Sequence, residues 1–230
     1  GNLGRSSGAR GAGGGVVNGA EFLEFLRGRR SVRAFTEAEV SRDLLERVLA
    51  GAVTAPSATN RQPWRFHVLT GPARVRVAGM VRARVREMEA IVARGHHRDA
   101  IGTYGDFFHE PLEAAPVVII PAYRTFDDLI ARLVASGGED PTRFDTSAAM
   151  QSELCGTAAA CMALLLQAEA EGLGACWMAG PMVAREEVEA MLGLRPPWRM
   201  LGAISLGWPA EVPTPKGRRD LGQVVRWVEE

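Results

Sequence analysis

Apolar residues recur at helical spacing in several stretches of this chain. Residues 20–28 carry four large apolar side chains and end at Gly28, which predicts a short helix that closes at this glycine. Ser41 precedes a stretch whose apolar residues fall on one side, so we predict an N-cap followed by a second helix. The same spacing predicts further helices over residues 73–98, 129–133 and 184–192.

The longest apolar stretch spans residues 147–169, and its only charged side chains are Glu153 and Glu169. A helix that is apolar on every side is usually buried on every side. We therefore predict that this helix either forms the centre of the core or lies in the interface of a dimer.

Short apolar segments bounded by turn residues predict the strands. The clearest covers residues 116–121 and is bounded by prolines. The chain shows no regular alternation of strand, helix and strand, so we predict an α+β fold with helices packed on a mostly antiparallel sheet. Further strands are predicted within 66–70, 172–180 and 201–206, loops at 55–63 and 102–111, and a strand or an arm at 224–227.

The first residues of the chain have a different composition from the rest. Seven of the first fifteen residues are glycine. Such a segment cannot bury enough apolar surface to offset its ordering entropy, so we predict a flexible arm or linker over residues 1–18. One domain then runs over residues 19–230, a length that supports a single sizeable core.

The composition argues against several classes of partner. The 27 basic and 27 acidic residues give a formal net charge of zero, so no basic excess indicates a nucleic-acid or membrane partner. No apolar run reaches the ~18–20 residues of a membrane helix. Three cysteines without a paired spacing fit a reducing, cytoplasmic compartment, and the four histidines form no cluster that would bind a metal.

The segment RRSVR at residues 29–33 is the first candidate for chemistry. Side chains alternate in an extended stretch, so Arg29, Ser31 and Arg33 are expected to point the same way. Two guanidinium groups and a hydroxyl on one face suit a phosphate dianion. Taken alone, the segment also fits a solvated basic turn, because arginine is abundant here and Lys216 is the only lysine.

A second segment, PSATNRQPW, spans residues 56–64. Its prolines and small polar residues argue against regular structure, and its amide and backbone groups suit the heteroatom edge of a flat heterocycle. The chain lacks the nucleophile elbow, the phosphate-binding loop and the zinc-protease motif. A cofactor that supplies its own reactivity would explain a site without an obvious acid, base or nucleophile.

Taken together, RRSVR, PSATNRQPW, GLGACW and the late basic KGRR resemble the nitroreductase family of FMN-dependent oxidoreductases. The resemblance covers residues 20–230, and the first two segments, in this order and spacing, are its specific part. It implies a nitroreductase-like fold and an intertwined homodimer whose flavin sites are built across the interface.

The resemblance assigns a role to each segment. Residues at 29–33 would bind the FMN phosphate, the ribityl chain and the pyrimidine edge, and the late basic pair would return to the phosphate. The loop at 56–62 would approach the isoalloxazine from the partner subunit, and the backbone at 178–180 would lie near flavin N5 and O4. The implied cofactor-binding residues are Arg29, Arg30, Ser31, Arg33, Pro56, Ser57, Ala58, Asn60, Gln62, Met178, Ala179, Gly180, Lys216 and Arg218.

The resemblance also implies a reaction without a catalytic side chain or a metal. NADH or NADPH would deliver hydride to flavin N5 and leave, and a nitroaromatic, a quinone or a similar electron-poor molecule would then take the hydride, which is a ping-pong mechanism. Two alternatives stay open. One is a biosynthetic flavin dehydrogenase or oxidase acting on azolines or cyclic dipeptides, and the other is a flavin-binding module without turnover.

Overall fold

The computed structural model describes residues 17–95, 105–144 and 150–229. The predicted arm at residues 1–18 lies outside these ranges except for Val17 and Asn18. Asn18 already belongs to the folded part, because its side chain accepts a hydrogen bond from the backbone N–H of Ala20 at 2.9 Å and so caps the first helix.

Within these ranges the chain forms eight α-helices and five strands. The α-helices are α1 (Gly19–Gly28), α2 (Arg42–Ala52), α3 (Gly71–Val92), α4 (Asp106–Ala114), α5 (Leu129–Ser136), α6 (Ser152–Ala170), α7 (Arg185–Met191) and α8 (Leu221–Val224). The strands are β1 (Trp64–Leu69), β2 (Val117–Arg124), β3 (Gly174–Met178), β4 (Trp198–Met200) and β5 (Ala203–Gly207). Single 3₁₀ turns cover Ala58–Asn60, Pro141–Arg143 and Gly180–Ala184.

The strands form one sheet in the order β1-β2-β5-β3, with β4 paired to β2. Every pair of these strands is antiparallel, which confirms the predicted α+β fold with a mostly antiparallel sheet. Trp64 lies opposite Tyr123, and Met178 lies opposite Ala203. The start of β1 and the ends of β2 and β3 therefore lie towards the same end of the sheet.

The sheet is buried on both faces, because the side chains of β2 alternate between two apolar clusters. Val117 and Ile119 pack with α2 and α6 on one face. Val118 and Ile120 pack with α3, α4 and α7 on the other face. A strand that is buried on both faces is an unbroken apolar run in the sequence, which is how this strand was predicted.

Two predicted segments that contain prolines have other bounds in the structure. The strand predicted over residues 116–121 continues through Pro121 to Arg124: the Pro121 carbonyl accepts a hydrogen bond from the backbone N–H of Leu201, and Ala122 to Arg124 pair with β1 and β4. The loop predicted over residues 102–111 contains the start of α4 in its described part. Helix α4 includes Pro111 and is stabilised by burying Leu112.

Other boundaries were predicted incompletely. The three-residue strand β4 was missed, since a strand this short has no measurable alternation. The tail predicted as a strand or an arm begins as the single turn of α8 and then continues without regular structure, exposed to solvent. The caps were predicted well: the Ser41 hydroxyl accepts from the Leu44 N–H, and Gly193 takes a positive φ of 65° after α7.

Helix α6 is the described part of the helix predicted over residues 147–169. The sequence predicted that this helix is buried on every side. In the single chain only one of its faces is buried. Cys161 and Leu164 are fully buried in the core, while Met162 keeps 41% of its surface exposed and Cys155 is exposed. The helix therefore has one core face and one uncovered apolar face. No helix in the described ranges is long and apolar enough to cross a membrane.

Candidate functional site

The segment at residues 29–33 is held on the edge of the sheet beside β3. Ser31 forms a parallel bridge with Ala175, and the backbone N–H of Val32 donates to the Ala175 carbonyl at 3.1 Å. The Val32 side chain is buried, with only 3% of its surface exposed. Because side chains alternate along an extended segment, burial of Val32 turns Ser31 and Arg33 to the opposite side.

A cavity of about 490 Å³ lies where this segment meets the late basic segment. The sequence separates the two by about 180 residues, and the fold brings them together around one opening. The predicted residues that line it are Arg29, Arg30, Ser31, Arg33, Lys216 and Arg218. Leu26, Arg27, Pro213, Thr214 and Pro215 also line it and were not predicted. The wall thus combines a hydroxyl with several cationic groups, a donor set suited to a phosphate.

Arg30 differs from the other arginines of this cavity. Its Nη1 donates to the backbone carbonyls of Gly28 at 2.8 Å and Arg29 at 3.0 Å, and also to the carbonyl of Arg27. These are the carbonyls at the C-terminal end of α1, where a cation also interacts favourably with the helix dipole. Arg30 therefore caps α1, whereas Arg33 donates to the Ser31 carbonyl at 3.2 Å.

The Cys176 thiol lies beside the same residues. Burial raises the pKa of this thiol, and the charge of Arg33, a hydrogen bond with Ser31 and the charge of Arg29 oppose that rise. Arg29, Ser31 and Arg33 also line the cavity described above. The thiol itself stays protonated at neutral pH, because burial dominates.

The loop at residues 56–62 is tightly constrained although most of it is exposed. The Ser57 hydroxyl accepts from the Gln62 N–H at 2.9 Å, and the Ser57 carbonyl accepts from the Asn60 N–H at 3.0 Å. Thr59, Asn60 and Gln62 have positive φ values of 51°, 55° and 48°. Positive φ is uncommon in residues other than glycine, and for the β-branched Thr59 it is a true outlier. Pro56, Ala58, Asn60 and Gln62 are solvent-exposed.

Within one chain this loop does not reach the cavity. It leads into β1 at one edge of the sheet, whereas Ser31 bridges to β3 at the other edge. Three strand spacings separate these edges, roughly 14 Å. The single chain thus brings residues 29–33 together with Lys216 and Arg218, but leaves Pro56, Ser57, Ala58, Asn60 and Gln62 apart from them.

The end of β3 borders a second, mostly apolar cavity of about 330 Å³. Ala179 lines it together with Trp177, Met182, Leu201 and Gly202. The Trp177 indole is fixed because its Nε1 donates to the Leu201 carbonyl at 3.0 Å. Met178 is buried, and a side chain on Gly180 would collide with the ring of Phe108. The backbone at residues 178–180 is therefore held by close packing from α4.

Most of the chain is similar to known proteins. Residues 26–208 match the model of the Nitroreductase family. An NADH dehydrogenase from Thermus thermophilus is 32% identical over 203 residues, which cover 86% of this chain and 92% of that protein.

The fold also matches solved structures. A BluB-like flavoprotein from Clostridium difficile superposes with a TM-score of 0.78 at 19% identity, covering 90% of this chain and 99% of the other. A nitroreductase with bound FMN from Desulfitobacterium hafniense superposes with a TM-score of 0.64 at 20% identity, covering 91% and 98%. At these identities the two structures establish the shared fold.

Proposed function

Since this chain belongs to the nitroreductase family of oxidoreductases, we propose that it binds FMN and transfers hydride from NADH or NADPH to an electron-poor small molecule. One observation carries the proposal. The two basic segments converge on a single cavity that Arg29, Ser31, Arg33, Lys216 and Arg218 line together. A nitroreductase of the same fold from Desulfitobacterium hafniense contains bound FMN, which supports this choice of cofactor.

The residues of this cavity fit the phosphate of the cofactor. Arg29 and Arg33 offer planar forks that bind two oxygens at once, and Lys216 offers a compact charge with three rotatable donors. No carboxylate appears among the residues that line the cavity in the described part of the chain. When bound, the flavin would supply the hydride chemistry, and the protein would supply binding, orientation and electrostatics.

The loop at residues 56–62 would complete the site from a second subunit, with Met178, Ala179 and Gly180 on the first. Its constrained backbone and exposed Asn60 and Gln62 suit a surface that is ordered before a partner arrives. We propose an intertwined homodimer on this basis.

Two uncovered apolar surfaces support the dimer. The free face of α6 exposes Met162, and the C-terminal tail exposes 85% of Trp227 and 84% of Val228. Large apolar surfaces of this kind commonly mark protein interfaces. The three thiols form no disulfide in the described structure, which fits the proposed cytoplasmic location.

The proposal is tested optically and kinetically. Purified protein, after FMN is added and the excess removed, should be yellow, and NADH or NADPH should bleach it without oxygen. Steady-state rates with a nitroaromatic or a quinone acceptor should give the parallel double-reciprocal lines of a ping-pong reaction. Protein that retains no FMN would overturn the proposal. Yellow protein that neither nicotinamide can bleach would favour the biosynthetic oxidase or the binding module.

A further inference from the structure

Backbone strain in this chain concentrates at one corner of the sheet. In the described ranges, the residues other than glycine with positive φ are Thr59, Asn60, Gln62 and Gln151. The first three surround Arg61, and Gln151 immediately precedes α6, which carries the Glu153 that pairs with Arg61. Strained residues persist only where the surrounding structure holds them, and they cluster at functional sites.

Arg61 is held in place at this corner by two contacts. Its Nη1 lies 3.4 Å from Oε1 of Glu153, and both side chains are largely buried, with 28% and 12% of their surfaces exposed. The Arg61 guanidinium also lies over the ring of Phe126, with Cζ 5.1 Å from the ring centroid. A cation over an aromatic face at this distance is stabilised by the ring quadrupole.

A second guanidinium shares the same ring. Cζ of Arg124, at the end of β2, lies 5.0 Å from the centroid of Phe126. Arg124 is exposed, and in the described part of the chain it forms no ion pair. The nearby Asp128 carboxylate caps α5 by accepting from the Ala131 N–H at 3.0 Å.

The two cations of this cluster differ in how they are paired. The two guanidinium groups lie over one ring and repel each other, and among the described residues Arg61 forms an ion pair with Glu153, whereas Arg124 forms none. A further cation, Arg65, stacks on Trp198 at 4.1 Å, beside the start of β1. An oxyanion bound near Arg124 would reduce this repulsion and make charge-assisted hydrogen bonds with the exposed Arg124 guanidinium.

We propose that Arg61, Phe126 and Arg124 form a docking site for the oxyanion of a small molecule that enters the active site. The oxyanion is a carboxylate or a phosphate, carried either by the electron acceptor or by the nicotinamide donor. The inference rests on the proposed function, because Arg61 lies within the loop that would approach the flavin. It adds a substrate class: the enzyme prefers anionic substrates to neutral ones of the same shape.

Arg124→Gln is the informative variant. Removing Arg61 would leave the largely buried Glu153 without its ion-pair partner and would destabilise the fold, whereas Arg124 pairs with no carboxylate in the described ranges. Arg124→Lys keeps the charge and loses the planar fork, so it should restore part of the effect. Arg76→Gln, at an exposed position of α3, is the matched control for loss of one surface charge.

The assay separates the two sources of the oxyanion. One arm compares 4-nitrobenzoate with the neutral 4-nitrobenzyl alcohol as acceptor. The other compares NADPH with the neutral 1-benzyl-1,4-dihydronicotinamide as donor. For the anionic member of at least one pair, Arg124→Gln should lower kcat/KM about fivefold or more, with the neutral member changed less than about twofold. The effect should shrink in high salt, because salt screens an exposed charge.

Equal losses for the neutral and anionic members of both pairs, or no change in either, would overturn the inference. Calorimetric titration of the FMN-loaded or FMN-free protein with 4-nitrobenzoate and with pyrophosphate gives a readout that does not need turnover. If the wild-type protein proves inactive but binds one of these anions in an Arg124-dependent way, the proposed function fails and the docking site stands. If neither anion binds more weakly to Arg124→Gln and the wild-type enzyme is active, the proposed function stands and the docking site fails.

Discussion

The side chain of Val32 lies directly against the backbone of Gly174. A Cβ placed on Gly174 would come within 2.7 Å of the Val32 Cγ1 and 2.8 Å of its Cβ. Together with the bridge between Ser31 and Ala175, this contact docks the arginine segment onto β3. The contact therefore connects the packing of the sheet edge to the positions of Arg29 and Arg33 in the candidate phosphate cavity.

Gly174→Ala should push this segment away from β3. We expect the free energy of unfolding to fall by about 1–3 kcal/mol, the usual cost of overpacking, and FMN to bind more weakly. The double variant with Val32→Ala should lose less stability than the sum of the two single variants, because the smaller side chain makes room for the new methyl. Urea unfolding and FMN titration measure both effects. Strictly additive losses would show that the two residues do not constrain each other.

Arg33 and Arg30 should respond differently to replacement by alanine. Arg33→Ala should weaken FMN binding about tenfold or more, because a charge-assisted contact is lost, with little change in stability. Arg30→Ala should lower stability by about 0.5–1.5 kcal/mol, because its guanidinium donates to carbonyls at the end of α1. Titration of the FMN-free variants and thermal unfolding distinguish the roles. Unchanged FMN affinity in Arg33→Ala would remove that residue from the site.

Met162→Glu should separate the proposed dimer. The substitution places a charge on the uncovered face of α6, where an apolar partner surface would have to desolvate it. Light scattering after size exclusion should show a monomer with reduced FMN content. Ile91→Glu is the matched control, since Ile91 on α3 is 54% exposed and lies on another helix. A wild-type protein that is monomeric with full flavin occupancy would contradict the dimer itself.

Buried thiols should make this protein sensitive to alkaline pH. Burial raises the pKa of Cys161 to about 12 from an ordinary value of 9.0, so the unfolded chain loses this proton at lower pH than the folded one. The stability contributed by the protonated thiol is complete below pH 9 and is lost as the pH rises towards 12.

Two measurements check this expectation. At pH 8 the native protein should show no reaction of Cys161 or Cys176 with a disulfide reagent, while all three thiols react in denaturant. Urea unfolding between pH 8.5 and 10.5 should show a shallower decline in Cys161→Ala than in the wild type. Identical slopes in the two proteins would mean that the Cys161 pKa is not raised by folding.

Some elements could be predicted because their determinants are local. The caps at Ser41 and Gly193 depend on neighbouring backbone groups. Strand β2 is buried on both faces, so its own residues are apolar and can be recognised in the sequence. Other elements depend on distant partners. Helix α4 includes Pro111, and β4 exists only because β2 offers it a neighbour, so neither has a sufficient signal in its own residues.

By itself the sequence determined the family, the alternation that turns Arg29 and Arg33 to one side, and the basic pair at Lys216 and Arg218. These features follow from residue types and from the geometry of neighbouring residues, and both can be read from the sequence. Only the tertiary structure decided that both basic segments share one cavity, that Arg30 caps a helix, and that Phe126 lies beneath two guanidinium groups. Such contacts join residues that are distant along the chain, and only the packing of the sheet and its helices brings them together.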